Sequence, residues 1–325
     1  MTKKPRILIT GATGFIGTYV LRLALEKEWD TYVAVRRESA TRVLAGLPIT
    51  RVEMDYADTE QMRHALTELP PMDYIVHMAG LTKALSAEAY MEVNAENTRR
   101  LLEAIEAQSH RPERFLLMSS MGSYGPVSGD KPLRADMPQK PNTLYGLSKL
   151  RAEQYLRSSS VPYTILCPTG VYGKGDEDYH ISIDAMRKGV NFLSGTTPQK
   201  LSFVHVADVA RAVFFLLRHP DAQGQTYLIS DGKSYTDSDY TAIVSSLFQR
   251  PIREVRVPLP IIRLACRIGD YHGRLRHSPR LLNSDKYHIL TQRNWHCDCS
   301  PLLELGFTPL YDLRSGLEEV LKDNL

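Results

Sequence analysis

Short runs of β-branched and other apolar residues alternate, over the first 170 positions, with longer stretches whose apolar positions recur every three or four residues. Arg6 to Thr10 reads as a strand and Phe15 to Glu28 as the helix that follows it. Thr31–Val35 and Arg51–Met54 read as the next strands. Tyr74–Met78 is the fourth, with a helix from about Glu88 to Ala107 behind it. Phe115–Met118, a helix from Tyr145 to Arg157 and a strand at Tyr163–Cys167 complete the series. Such alternation predicts an α/β fold, a doubly wound parallel sheet with helices on both faces. After about Gly173 the rhythm breaks. Lys200–Val204 and Tyr227–Ser230 still read as strands, and a helix begins near Asp208. From Val255 the chain is irregular, with prolines at 258, 260, 279 and 301.

Composition narrows the class. Apolar residues make up 43% and charged residues 24% of the 325 residues, which is enough to build a core, and the formal charge of +3 gives no argument for nucleic acid. No apolar run approaches the roughly 18 residues of an integral membrane segment. Met1 to Arg6 is followed by only three apolar residues, Ile7 to Ile9, far short of a secretory leader, so the expected location is cytoplasmic. Cys167, Cys266, Cys297 and Cys299 are too few for a disulfide framework and read as reduced surface thiols. His296-Cys297-Asp298-Cys299 lacks the second ligand pair of a structural metal site, so no metal is expected.

Chemistry enters at Thr10-Gly11-Ala12-Thr13-Gly14-Phe15-Ile16-Gly17, between the first strand and the first helix. Glycines there permit a tight turn and let backbone N–H groups meet a pyrophosphate at a helix N-terminus. The backbone of Gly11, Thr13, Gly14, Phe15, Ile16 and Gly17 is therefore the candidate dinucleotide cradle. An NAD enzyme would place an acid at the end of the second strand to hold the ribose 2′-hydroxyl. This chain has Val35-Arg36-Arg37-Glu38. Guanidinium groups pair with a 2′-phosphate, so NADP(H) is favoured, with NAD(H) still possible through Glu38. Asp55-Tyr56 suits an adenine edge. Met78-Ala79-Gly80, after His77, suits close backbone approach to the cofactor.

Tyr145 and Lys149 lie four residues apart and share a helix face. A phenol with pKa of about 10 becomes a useful acid–base group when neighbouring positive charge favours its phenolate. Upstream, Ser119-Ser120-Met121-Gly122-Ser123 ends a strand in hydroxyls, one of which can hydrogen-bond a substrate oxygen that gains charge.

Taken in order, these elements resemble the extended short-chain dehydrogenase/reductases, also called the NAD(P)-dependent epimerase/dehydratase family. The matching set is Thr10–Gly17, Asp55, His77–Gly80, Val93-Asn94-Ala-Glu-Asn-Thr98, Ser119-Ser120, Tyr124-Gly125, Tyr145-x-x-x-Lys149, Pro168–Gly173 and Phe203–Asp208, covering residue 6 to about 235. The resemblance implies a Rossmann-type sheet over residues 1–173, with a small mixed substrate-binding region over 174–325. Late strands around 200–232 are expected to rejoin the sheet. It further implies Tyr145 as general acid/base, Lys149 as its modulator and Ser120 as the substrate-polarising serine, a role Ser119 or Ser123 could share. Asn94, Ser119, Pro168 and Val171 fall beside the cofactor, Asp208 reads as a structural helix cap, and a homodimer through the helices carrying Asn94 and Tyr145 is expected.

Within that family, Leu201-Ser202-Phe203, Cys167-Pro168 and Met121-Gly122 depart from the sugar-nucleotide pattern. The Val35-Arg36 strand end resembles dihydroflavonol reductases and hydroxysteroid dehydrogenases. The expectation is therefore an NADP(H)-dependent enzyme interconverting a secondary alcohol and a ketone. An NAD-dependent sugar-nucleotide epimerase or dehydratase is the alternative. Between Arg256 and Arg293, eight Arg or Lys face two acids, Asp270 and Asp285. That segment reads as a solvated basic face, an anion-attracting lid, a membrane-surface contact or a subunit interface, with Pro260–Gly269 as a short amphipathic helix and Trp295 as an anchor to the core.

Overall fold

The computed structural model describes residues 4–37, 42–276, 280 and 282–322; Glu38 lies outside them. Strands run in chain order as β1 (Arg6–Thr10), β2 (Asp30–Val35), β3 (Thr50–Glu53), β4 (Tyr74–His77), β5 (Arg114–Met118), β6 (Tyr163–Pro168), β7 (Gly170–Tyr172), β8 (Val190–Ser194), β9 (Lys200–Leu201), β10 (Phe203–His205), β11 (Thr226–Ile229), β12 (Tyr235–Thr236), β13 (Arg253–Val257) and β14 (Asn294–Trp295). Seven of them form one parallel sheet in the order β11-β6-β5-β4-β1-β2-β3. The winding direction reverses between β1 and β4, and a crevice opens beyond the carboxyl ends of those two strands.

Strand periodicity sorts the side chains to two faces. On one, Ile7, Ile9, Leu116 and Met118 meet Val20, Leu21 and Ala24 of α1 (Phe15–Glu26). On the other, Leu8, Phe115 and Leu117 meet α2 (Thr59–Thr67) through Met62 and Leu66. After α3 (Ala87–Tyr90), the same face is covered by Leu101 and Ile105 of α4 (Asn97–Glu106) and by Ala152 and Leu156 of α5 (Leu144–Ser158). The chain continues through α6 (Glu177–Arg187) and α7 (Val206–Arg218), whose Val209, Val213 and Leu217 join the α1 face. Then come α8 (Asp237–Leu247), α9 (Leu259–Leu275), α10 (Ser284–Leu290), α11 (Ser300–Glu304) and α12 (Leu313–Leu321). A separate core beside the sheet gathers Tyr172, Met186, Phe203, Tyr240, Leu313 and Leu317 from β7, α6, β10, α8 and α12.

Several expectations are revised. The first helix stops at Glu26, and Glu28 turns to φ 55°. The helix expected over 88–107 is one continuous rod interrupted by a π-helical stretch, Met91–Glu96. Lys200–Val204 is not one strand and does not rejoin the main sheet. Lys200–Leu201 pairs with β12 and β14, and Phe203–His205 pairs with β7, because the ladder breaks at Ser202, whose carbonyl accepts from the Thr169 hydroxyl; β11 alone returns to the large sheet. Asp208 does not cap its own helix, whose N-cap is His205. It is fully buried and accepts the Leu310 and Tyr311 N–H groups and an Arg211 ion pair, pinning the late chain to α7. The four free cysteines are buried rather than on the surface. Cys297, for instance, is drawn inward by the bridge between Leu133 and Cys297.

Candidate active site

The glycine turn closes against β4. Gly11 sits at φ +71°, and a Cβ there would lie 2.6 Å from the Ala79 nitrogen. A Cβ on Gly17 would lie 2.0 Å from the Gly11 carbonyl oxygen, so the first turn of α1 packs directly on the turn that precedes it. No side chain caps the α1 N-terminus, whose N-cap is Gly14, so its dipole and N–H groups face the crevice. A tight glycine turn leading into a helix N-terminus whose N–H groups no side chain caps fits a dinucleotide pyrophosphate. Ala at position 17 is expected to cost about 1–3 kcal/mol of stability and to weaken dinucleotide binding together with it, since the overpacking displaces the turn itself. Chemical denaturation and a cofactor titration read the two effects.

Beneath the turn lies a closed polar network. Thr10 Oγ1 is 2.8 Å from His77 Nδ1, and His77 Nε2 is 3.0 Å from Thr98 Oγ1. Thr98 donates its own proton to the Asn94 carbonyl at 2.8 Å, so it accepts from His77 Nε2–H. Thr10 must then donate to Nδ1 while accepting from the Met78 and Ala79 N–H groups at 3.2 Å. Burial, with Lys149 nearby, holds the His77 pKa down to about 3, so the ring is neutral and in one tautomer. The network fixes the backbone of Met78–Gly80.

Asn94 sits in the π-helical stretch, where the widened turn lets its side chain reach across to two partners. Its Oδ1 accepts from Leu81 N at 2.7 Å, and its Nδ2 donates to the Leu81 carbonyl and to Ser148 Oγ. It therefore ties the loop after β4 to α5. A Cβ on Gly80 would meet Asn94 Oδ1 at 2.8 Å and stand 3.6 Å from Lys149 Nζ, so both groups border one gap.

Tyr145 and Lys149 project from the first turns of α5, which Thr143 caps through the Gly146 N–H. Asp285, from α10, accepts from the Leu144 N–H at 2.6 Å and the Tyr145 N–H at 3.3 Å, adding negative charge at this helix N-terminus. Close packing continues below, since a Cβ on Gly146 would lie 2.2 Å from the Gly122 carbonyl oxygen. Lys149 is buried and donates to the Met118 carbonyl at 2.8 Å. Desolvation lowers its pKa to about 8, against the raising effect of Glu153 and Cys167. Burial raises the Tyr145 phenol to about 12, and its hydrogen bond with Ser120 opposes the rise. Ser120 Oγ accepts the Gly122 N–H at 3.1 Å.

The neighbouring hydroxyls are committed elsewhere. Ser119 donates to the fully buried Glu153, whose other oxygen takes Gln139 at 2.8 Å and Arg157 at 2.9 Å. Ser123 donates to the Ser120 carbonyl and accepts from Gln139. Of the three serines, Ser120 is thus the one that faces Tyr145. Arg36 and Arg37 are exposed just beyond β2, Asp55 is exposed beyond β3, and Tyr56 is buried. Pro168 ends β6 and Val171 lies on β7.

A cleft of about 640 Å³ opens beside Ser120 and Tyr145. Its walls are largely apolar, including Pro168, Val171, Phe192, Leu193, Leu282 and Leu290. Three wall residues escape the sequence reading. Tyr90 packs its ring 6.1 Å from that of Tyr145. Phe192, on β8, is 64% exposed at the rim. Asp285 joins the cleft wall to the N-terminus of α5. Trp295 also lines the cleft, and its Nε1 donates to the Ile289 carbonyl.

Known proteins resemble this chain along most of its length. Residues 7–230 match the model of the NAD dependent epimerase/dehydratase family. The chain is 26% identical over 303 residues to a ceramide reductase of Caulobacter vibrioides, covering 92% of this chain and 88% of that protein. It is 24% identical over 343 residues to a 3-beta-hydroxysteroid dehydrogenase of Mycolicibacterium neoaurum, covering 97% and 90%. It is 28% identical over 275 residues to a UDP-glucose 4-epimerase of Vibrio cholerae, covering 79% and 80%. Among solved structures, the Thermotoga maritima UDP-glucose 4-epimerase with UDP-glucose superposes with a TM-score of 0.77 at 21% identity, covering 98% of this chain and 97% of that one.

Proposed function

The chain belongs to the NAD-dependent epimerase/dehydratase family and is an enzyme, and within that family we propose that it is an NADP(H)-dependent dehydrogenase/reductase acting on an apolar secondary alcohol or ketone. The observation that carries this reading is the cleft. Ser120 and Tyr145 line it, and most of its lining surface is apolar. Such a surface rewards burial of a hydrocarbon skeleton far more than of a nucleotide sugar. Relatives named ceramide reductase and 3-beta-hydroxysteroid dehydrogenase support the same substrate class.

The dinucleotide, when bound on the glycine turn, supplies the hydride donor or acceptor. Everything else falls to the chain. Tyr145 gives its phenolic proton to the substrate oxygen in reduction and takes it back in oxidation. Ser120 donates a hydrogen bond to that oxygen and stabilises its developing charge. Lys149, buried beside the gap below Gly80, places a cation where it favours the phenolate and stands within reach of a ribose.

Arg36 supports the choice of NADP(H), being exposed just past β2 where a 2′-phosphate would lie. Arg36→Ala is expected to weaken NADPH binding about tenfold or more while moving NADH binding little. Fluorescence titration of both cofactors reads this, and an unchanged NADPH dissociation constant overturns the preference.

The second reading is an NAD-dependent epimerase, favoured by the 28% identical Vibrio cholerae relative. The two differ in what the purified protein carries. Native mass spectrometry that finds near-stoichiometric retained NAD, with turnover of a nucleotide sugar and none of ketones, supports the epimerase. Empty protein that reduces apolar ketones with NADPH supports the reductase.

A further inference from the structure

α9 carries an apolar stripe with no cover among the described residues. Its buried line is Ile262, Cys266 and Gly273, and Gly269 packs so closely on the next segment that a Cβ would lie 1.9 Å from the Leu282 carbonyl oxygen. On the opposite side of the helix, Ile261, Leu264, Ile268, Tyr271 and Leu275 are each at least 50% exposed. These positions recur at three- and four-residue intervals and so form one row, roughly 20 Å long at 1.5 Å per residue. A row of five large apolar side chains pointing away from the protein needs an explanation that isolated exposed residues do not.

The flanks state what the stripe meets. At 100° per residue, Arg263, Arg267 and Arg274 fall together along one border of the row, and His272 and Arg276 along the other. All four arginines are exposed, and none is in an ion pair among the described residues. The one acid on the helix, Asp270, is turned inward to the Ser284 N–H and hydroxyl. An apolar row bordered by cations on both sides is the arrangement of a helix lying in the plane of an anionic lipid surface. A second protein chain would more often answer so many cations with acids of its own kind, and this chain shows no matching acidic row on α9.

The stripe also adjoins the cleft. Leu282, which lines the cleft and is 39% exposed, is the residue that packs on Gly269. Phe192, at the other part of the rim, lies on β8, and β8 pairs with β13, the strand that leads into α9. Rim and stripe are therefore built on one connected unit.

We propose that α9 docks this enzyme on the surface of an anionic lipid bilayer, its apolar row in the headgroup–acyl boundary and its arginines on the lipid phosphates. The docking does not depend on the reaction, so it is tested without cofactor or substrate. Full-length protein is sedimented with vesicles of phosphatidylcholine alone, or of roughly three parts phosphatidylcholine to one part phosphatidylglycerol. Expected is partition to the anionic vesicles, about tenfold or more above the neutral ones and falling as salt is raised. The pair Leu264→Glu and Ile268→Glu, both at solvent-facing positions, abolishes it. Arg263→Gln with Arg267→Gln weakens it about tenfold on anionic vesicles. Unchanged circular dichroism and dinucleotide binding show that each variant is folded. No difference between the two vesicle types overturns the proposal, as does a wild-type dimer that L264E/I268E converts to monomer in sedimentation velocity without any vesicle binding. The latter result assigns the stripe to a second copy of the chain.

Discussion

Phenylalanine at position 145 is expected to lower kcat for ketone reduction by about a thousandfold, the usual scale for loss of a positioned proton donor, while dinucleotide affinity stays within about twofold. The ring stays in place because its packing against Tyr90 and Gly122 outlasts the loss of the hydroxyl's hydrogen bond with Ser120. Only the phenolic oxygen is lost. The split between kcat and cofactor binding is the diagnostic, since a disturbed α5 would damage both through Lys149 and the Gly80 gap. Stopped-flow turnover with NADPH, beside a titration of the same preparation, measures the two. A rate within tenfold of wild type would remove Tyr145 from proton transfer.

Lys149→Met is expected to raise stability as it lowers activity, and the rise should depend on pH. The ammonium is buried, and its pKa falls from 10.5 to about 8 on folding. Below pH 8 both folded and unfolded chains carry the charge, and the folded chain pays for its desolvation. Between pH 8 and 10.5 the unfolded chain binds the extra proton, so wild-type stability rises with pH through that window. Methionine has no such dependence. Its advantage over wild type is therefore greatest at neutral pH, on the order of 3 kcal/mol at most, and shrinks as pH approaches 10.5. Loss of the bond to the Met118 carbonyl subtracts a constant part of it. Scanning calorimetry of both proteins without cofactor from pH 7 to 10.5 gives the difference directly. A difference that stays flat would mean that Lys149 is not strained by its burial. Turnover should fall about a hundredfold in the same variant, which makes the site a place where stability is given up for chemistry.

The sheet and the site differ in how much of each shows along the chain. β1, β4 and β5 are legible because each is a short apolar run followed by a helix that covers the sheet, β2 and β6 are legible as apolar runs alone, and the glycine turn announces where the first crossover begins. Tyr145, Lys149 and Ser120 were visible as a set because they lie at strand and helix ends that this fold brings to one crevice. What the sequence hides is non-local. β8 and β13 pair in parallel across some sixty residues, and neither Val190–Ser194 nor Arg253–Val257 reads as a strand without its partner. Asp285 caps α5 from 140 positions away, so nothing near it marks the role. α2 is a local miss. Asp58 accepts from Glu60 and Gln61, and Met62 and Leu66 point inward four residues apart, a cap and a stripe that were there to read. The commitment of Ser119 to Glu153 is a third kind. Lys149, Glu153 and Arg157 share one helix face at spacings of four, which marks a charged row but not that its middle member is fully buried.

The third core, which joins Tyr172 and Phe203 to Leu313, Leu317 and Leu321, sets an order of assembly. A chain that has left the ribosome through Ile229 already holds all seven strands of the sheet and the glycine turn. The wall of the cleft at Phe203 still lacks both Tyr240 and the helix that backs it, because α12 follows Ile229 by more than eighty residues. Contacts spanning 140 residues, such as the Tyr172 hydroxyl on the Asp312 carbonyl, form late for the same reason. On the proposed assignment of the two sites, the glycine turn is complete in a nascent chain before the cleft is, and bound dinucleotide would steady the sheet while the residues around the cleft are still being added.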